Sequence, residues 1–376
     1  MGLSNYLPNS RMNQPGVCTS ATRPVSPYEG QVIYETDTDS VYVWNGSSWA
    51  NIVSDSPRNL LYNGEMLVAQ RNTTISGRTS TNYFTADRWK TEMNLAGTYT
   101  LSVVDDVPET SGFSKALNYL CTSATISPDY LQSSQLLEGF DCQSINMGTA
   151  AAKSLWLSFW VKSNVTGIYN AEIRLDNFTV HLSKQYTINV ANTWQKVVLE
   201  YKPNTSNSIT ANTNAGLTVR FWLAAGSAYS GGTVNPNWGG TLNQRAVGNV
   251  NLSSAVNNYW RITGTMLSVG YPAPFEFKSY NEHLRDCFRY CQIYGSLPVN
   301  VGADDDYAVN HASFSFPLMR TAPTTSTTSI TFEGHGVFTP TFSIGNGSIR
   351  LDTSGSGYRS IGSRGIINGL SLFSEL

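Results

Sequence analysis

The sequence is poor in charge. Asp, Glu, Lys and Arg make up 13% of its 376 residues, about half of the ~25% usual in globular proteins. The 24 basic and 26 acidic residues leave a net charge of −2, which gives no electrostatic footprint for nucleic acid. Long apolar runs are missing as well, and no stretch approaches the ~18 residues of a membrane span. Met1 to Ser10 hold no basic patch followed by an apolar run, so neither a secretory leader nor membrane insertion is expected. Cys18, Cys121, Cys142, Cys287 and Cys291 are odd in number and irregularly spaced, which excludes a simple disulfide framework. The four histidines, His181, His283, His311 and His335, do not pair at ligand spacing, whereas a zinc site needs about four thiolates or imidazoles. No metal and no cofactor are expected.

Catalytic signatures are also missing. There is no Gly-x-Ser-x-Gly elbow, no Gly-rich phosphate loop ending in Lys-Ser/Thr, and no His-Glu-x-x-His. Asp304-Asp305-Asp306 is the densest carboxylate cluster. Calcium wants several hard oxygens, but the cluster lacks the alternate spacing of a calcium loop, and a solvated turn explains it. A strand-end turn explains Asp105-Asp106 equally well. Glycosidic cleavage requires two carboxylates a few ångströms apart, and Asp and Glu are sparse here. The expectation is a protein that is not an enzyme, although distant residues can still meet.

What replaces charge is Ser, Thr, Asn and Gly, beside an apolar fraction of 40% that suffices for a core. Such charge-poor surfaces suit permanent subunit contacts. Period-two patterns recur. Leu155, Leu157, Phe159 and Val161 fall on one strand face, with Trp156 and Trp160 on the other. Leu217, Val219, Phe221 and Leu223 alternate with Thr218, Arg220 and Trp222, and Val197, Leu199 and Tyr201 repeat the pattern. One apolar and one mixed face predicts an antiparallel sandwich, and the strand count and turn spacing favour a jelly roll. Ser279-Tyr280-Asn281-Glu282 matches a capping box. Leu284, Cys287, Phe288, Cys291 and Tyr294 follow at helical steps, predicting one short helix over about 279–294, stopped by Gly295.

The N-terminal part reads differently. Residues 1–22 have little periodicity and predict an extended arm that orders on a neighbour. Val32-Ile33-Tyr34 and Ser40 to Trp44 predict a hairpin, turned at Thr36 to Asp39, and Asn45-Gly46 reverses the chain again. A lone hairpin is marginal in water, so this one is expected to pack on copies of itself or on a larger assembly. The chain is thus expected to be mainly β. It should hold an arm (1–22), a hairpin module (23–55), a jelly-roll β-sandwich (56–280), and a short helix with a small C-terminal β-domain (281–376).

The hairpin resembles the N-terminal attachment modules of bacteriophage head or tail fibre proteins. The residues that carry the likeness are Arg23-Pro24, Pro27-Tyr28-Glu29-Gly30, Ile33 to Thr38 and Trp44 to Trp49, less than a tenth of the chain. Asn59-Leu60-Leu61-Tyr62-Asn63-Gly64, with Ala86-Asp87-Arg88-Trp89, is similar to carbohydrate-binding-type jelly rolls in phage fibres. The order sandwich, Pro-Phe segment, and helix ending in Arg289-Tyr290 resembles C-terminal parts of the same proteins. The resemblance implies a structural virion protein assembled in the host cytoplasm. It implies a homotrimer, and partnership with other phage structural proteins through Arg23, Pro24, Tyr28, Ile33, Tyr34, Trp44 and Trp49. A passive decoration protein and a polysaccharide depolymerase are the alternatives.

Aromatics, 12% of the chain, offer faces on which the C–H groups of a sugar stack. The nearly charge-free loop from Gly226 to Gly240 holds Tyr229 and Trp238, the candidates for binding a host-surface polysaccharide. Packing of Trp238 as a lid or in a subunit interface is the competing expectation.

Overall fold

The computed structural model describes residues 16–38, 40–51, 58–176, 180–300, 302–303, 309–326, 329–332, 335–338, 341–344, 347–354 and 364–376. The chain forms two compact units, residues 1–58 and 59–376.

The first unit is a four-stranded sheet of β1 (Gly16–Cys18), β2 (Val32–Glu35), β3 (Ser40–Trp44) and β4 (Trp49–Asn51), in that order. The hairpin β2–β3 forms as the pattern predicts, with Val32 opposite Val43. Asn45 makes the next turn: its Oδ1 accepts from the backbone N–H of Ser47 (3.0 Å) and Ser48 (2.8 Å), and Gly46 takes φ +91°. Of residues 16–22, expected in the arm, Gly16–Cys18 belong to this sheet and Ser20–Thr22 form a short 3-10 turn beside it. β1 pairs parallel with β2, Gly16 to Ile33, and the Ser20 N–H donates to Asp37 Oδ1 at 2.9 Å. Among the described residues of this unit, Ile33 and Glu35 are the fully buried ones. Every side chain of β3 stays half-exposed.

The second unit is built on twelve strands. They are β5 (Thr74–Arg78), β6 (Asn82–Tyr83), β7 (Lys90–Asn94), β8 (Thr98–Val104), β9 (Ala116–Ser123), β10 (Tyr130–Glu138), β11 (Leu155–Ser163), β12 (Gly167–Leu175), β13 (His181–Ile188), β14 (Gln195–Tyr201), β15 (Ala215–Ala225) and β16 (Tyr259–Val269). One six-stranded sheet has the order β13-β12-β15-β10-β7-β6, the other β14-β11-β16-β9-β8-β5. The two face each other as an antiparallel jelly-roll sandwich. Phe159 of β11 meets Phe221 of β15 edge-to-face at 4.9 Å, and Trp260 of β16 lies 5.8 Å from the same ring. Leu155, Leu157, Phe159 and Val161 are buried while Trp156 and Trp160 are half-buried, as their alternation predicts. Each such apolar side chain contributes on the order of 1.5–3 kcal/mol when removed from water.

The short helix needs correction. It runs from Tyr280 to Phe288, not to residue 294. Its start is as predicted: the Ser279 hydroxyl accepts from the Glu282 N–H at 3.3 Å, and the Ser279 N–H donates to Glu282 Oε2 at 2.8 Å. The helical spacing of Cys291 and Tyr294 is coincidental, because a strand, Cys291–Asn300, takes them. It pairs antiparallel along Arg364–Phe373, and that long ladder outweighs one more helical turn; Gly295 lies inside it. Ser329–Phe332 and Thr324–Ser326 join the same sheet, and Val309–Ser315 pairs with Ser348–Ser354 in another. Asp304 to Asp306 lie outside the described residues.

The motifs Asn59 to Gly64, Ala86 to Trp89 and Arg289-Tyr290 converge. Asn63 Nδ2 donates to the carbonyls of Val68 (2.9 Å) and Asp87 (3.0 Å), and Trp89 Nε1 donates to the Asn63 carbonyl at 3.1 Å. Arg88 is fully buried with its guanidinium 3.5 Å over the Tyr290 ring. It donates to Glu375 Oε2 at 2.6 Å and to the Leu136 carbonyl at 2.5 Å. Arg289 forks onto Glu138, 2.6 Å to each oxygen, and the Tyr290 hydroxyl donates to the same carboxylate at 2.6 Å. These residues tie the end of the chain to the sandwich. All five cysteines are free thiols, and all but Cys18 are buried.

Candidate functional site

In the sheet β13-β12-β15-β10-β7, directly opposed residues share a face. Phe221, Ala171 and Val219 point to the core, so their alternates point outward. One outward row reads Ser183, Glu172, Arg220, Ser134, Lys90, and the next reads Gln185, Asn170, Trp222, Gln132, Glu92. A third opens with His181, Arg174 and Thr218. This outer face is therefore polar and charged, in a protein with little charge to place.

The segment 226–250 lies over part of this face. The Arg245 Nε and Nη2 donate to the two oxygens of Glu172 at 2.8 and 2.7 Å. Asn249 Oδ1 accepts from the Asn170 N–H at 2.9 Å, and the Val247 carbonyl accepts from Gln185 Nε2 at 2.8 Å. Glu172 has no exposed surface. Burial pushes its carboxyl up, but the Arg245 fork, Arg220 and His181 outweigh that and hold it below the usual carboxylate range. Glu92, at the open side, accepts from Ser134 Oγ at 2.5 Å and Arg220 Nε at 3.3 Å.

An aromatic group stands beside these charges. Tyr229, on the short helix Ser227–Ser230, lies 5.2 Å from Trp222 and 5.8 Å from Tyr130, the latter at 85°. Trp222 is the buried floor, with the Arg245 guanidinium 5.0 Å over it, whereas Tyr130 and Tyr229 are half-buried. Burial raises both tyrosine hydroxyls above their ordinary value. Among the described residues, buried donors of this face that make no hydrogen bond include Trp222 Nε1, Arg220 Nη1 and the Ser183 hydroxyl; Arg220 Nη1 sits 3.6 Å from Glu172. Buried polar atoms are normally satisfied, and these are exceptions.

The two aromatic candidates part company. Tyr229 is on the polar face. Trp238 donates through Nε1 to the Lys202 carbonyl at 2.6 Å and rests on the core, and it makes no ring contact with Tyr229 among the described residues. Glu92, Glu172, Arg220 and Tyr130 were not singled out from sequence as site residues. The one available signal was the alternation in 217–223, which sets Arg220 and Trp222 on a single non-core face.

The attachment candidates also divide. Ile33 is core, and Arg23 pairs with buried Glu35 while its guanidinium lies 4.7 Å over Tyr42. Pro24 and Tyr34 are half-buried, Tyr28 is 47% exposed, and Trp44 and Trp49 meet edge-to-face at 5.5 Å with part of each ring open. Asp106, expected in a strand-end turn, receives Lys162 Nζ at 2.8 Å, Trp194 Nε1 at 3.1 Å and the Arg261 guanidinium.

No protein-family model matches this sequence, and none of the curated proteins is significantly similar to it. Among solved structures, the chain is similar to the enzymatically active domain of bacteriophage CBA120 tailspike protein 4. Identity is 15% and the TM-score 0.32, over 56% of this chain and 21% of that one. It is similar to TmCBM61 in complex with beta-1,4-galactotriose, at 12% identity and TM-score 0.30, over 56% of this chain and 99% of that one. It is also similar to the family 11 carbohydrate-binding module from Clostridium thermocellum, at 12% identity and TM-score 0.28, over 53% and 99% of the two chains. All three likenesses are too distant to carry the functional reading, which rests on the chain's own geometry.

Proposed function

We propose that this chain is a glycan-binding subunit of a bacteriophage fibre. Its first unit attaches it to the particle, as a homotrimer, and the outer face of the β13–β7 sheet engages a host-surface polysaccharide. The observation that carries the glycan reading is the juxtaposition on one face of the half-buried Tyr130 and Tyr229 with Glu92 and Arg220. Rings supply apolar contact to sugar C–H faces, and fixed charged groups fix hydroxyls in orientation. The attachment reading is supported by the small core of the first unit. Ile33 and Glu35 are its buried residues among those described, while Val25 is 99% and Val17 71% exposed. Among the described residues β1 and β4 pair on one side only, and such edges invite pairing with another chain.

The reading is of binding without cleavage. Two carboxylates of this face are held by arginine, Glu172 by Arg245 and Glu92 by Arg220, and a clamped, ionised Glu172 is a poor general acid. An array of bacterial surface polysaccharides tests the proposal. Binding of one or a few surface polysaccharides, with no new reducing ends after prolonged incubation, is the expected result. Silence across the array would leave a passive decoration protein, and release of reducing ends would establish a depolymerase.

A further inference from the structure

At the β13 side of the same face lies a pocket of about 360 Å³, lined among the described residues by Arg174, His181, Gly240, Leu242 and Arg245. Its size falls within the range of small-molecule sites. Arg174 and His181 oppose each other on adjacent strands. The backbone of the loop comes down beside them: the Gly239 N–H donates to the His181 carbonyl at 2.9 Å. Gly240 sits at φ +107°, where a Cβ would meet Gln244 Oε1 at 2.6 Å and lie 3.6 Å from His181 Nε2. Glycine is therefore required to close this wall.

The charge inside the pocket is one-sided. Two guanidiniums and an imidazole line it, and no carboxylate does among the described residues. Arg245 is committed to Glu172, which is fully buried beneath. Asp176, beside the row that holds Arg174, accepts from the Thr218 hydroxyl. Arg174 makes no ion pair or hydrogen bond among the described residues, and it is half-buried. An arginine in a cavity without a partner presents a fork suited to a carboxylate or a phosphate.

We infer that this pocket receives a negatively charged sugar residue or substituent, with Arg174 as its principal anion ligand, so that the polysaccharide bound is acidic. The inference rests on the glycan-binding reading and adds the charge of the ligand. The neutral part of the glycan runs on toward Tyr229 and Tyr130, and the acidic unit sits at the Arg174 end.

The test uses the full chain and matched oligosaccharides. Hexuronate-containing oligomers are compared with their carboxyl-reduced counterparts, and phosphate-substituted oligomers with their dephosphorylated ones. Affinity is measured by titration calorimetry at two salt concentrations. A preference of tenfold or more for one charged class over its neutral counterpart is expected, falling as salt rises. In Arg174→Ala the preference should collapse below twofold, and Arg174→Lys should restore part of it; unchanged melting temperatures show that both variants fold. Which charged class wins identifies the anion. Equal affinity for charged and neutral members, or a preference that survives in Arg174→Ala, would overturn the inference and leave the glycan reading standing. Absence of binding to every member would overturn both.

Discussion

Arg88 has no exposed surface, and it meets Glu375, the Leu136 carbonyl and the face of Tyr290. Its removal leaves Glu375 with Arg71 alone and a carbonyl unmet. Breaking a buried pair from one side costs about 3–5 kcal/mol, so Arg88→Ala should lower unfolding free energy by that amount in urea melts. Lys115→Ala, which breaks an exposed pair with Asp105, should cost less than about 1 kcal/mol. Asp87 gives a pH signature. Burial pushes its carboxyl up to about 6, against Arg71 and Gln70, from an ordinary 3.8. The folded state therefore binds more protons than the unfolded state between about pH 4 and 6, and this group's contribution weakens stability as pH rises through that window. Glu138 and Glu172 work in the opposite direction: their carboxyls are held low, so their contributions are lost as pH falls below the ordinary carboxylate range. Asp87→Asn should flatten the decline between about pH 4 and 6 and keep the acid limb, as read from urea melts across pH.

Strands with strict alternation were legible in the sequence. Leu155 to Ser163 alternates in burial as a half-buried strand should, whereas Ala215 to Ala225 keeps its apolar period but is buried on both faces, its polar side being covered by Arg245 and Tyr229. The capping box likewise fixed the start of the helix. Its end was not legible, since the pairing of Cys291–Asn300 with Arg364–Phe373 joins residues some seventy positions apart and local spacing cannot report it. The parallel strand β1 was hidden for a related reason: it is three residues long and takes its order from β2. The site was legible only in part. Tyr229 could be named from its polar loop, but Glu92, Glu172 and Arg220 become neighbours only through cross-strand register. At this scale the division between Arg58 and Asn59 also makes a prediction. Residues 59–376 expressed alone should unfold in one cooperative transition with the melting temperature of that unit in the full chain. They should also fail to enter phage particles. Normal incorporation of the truncated chain would refute attachment through the first unit.

Across the whole molecule, charge is rationed and its placement is informative. Among the described residues, two groups of buried or half-buried ion pairs stand out beside the Asp106 cluster with Lys162 and Arg261. Arg71, Arg88, Glu138, Arg289 and Glu375 fasten the chain end to the sandwich. Glu92, Glu172, Arg220 and Arg245 stand on the outer face of one sheet, beside exposed tyrosine edges. The first group fastens strands together, whereas the second stands beside the Tyr130, Tyr229 and Trp222 rings and the pocket that Arg174 lines. That grouping of rings with charge on one sheet face is the centre of the account. Trp156, half-buried on the outer face of the other sheet, is the matching control because its ring is already hydrogen-bonded to Ser154 Oγ at 3.2 Å. The direct measurement is calorimetric titration of the best array polysaccharide into the wild type, Tyr130→Ala and Trp156→Ala. The account predicts at least a tenfold loss for Tyr130→Ala, about 1.4 kcal/mol, with Trp156→Ala within twofold of wild type. Full affinity in Tyr130→Ala together with a loss in Trp156→Ala would contradict it.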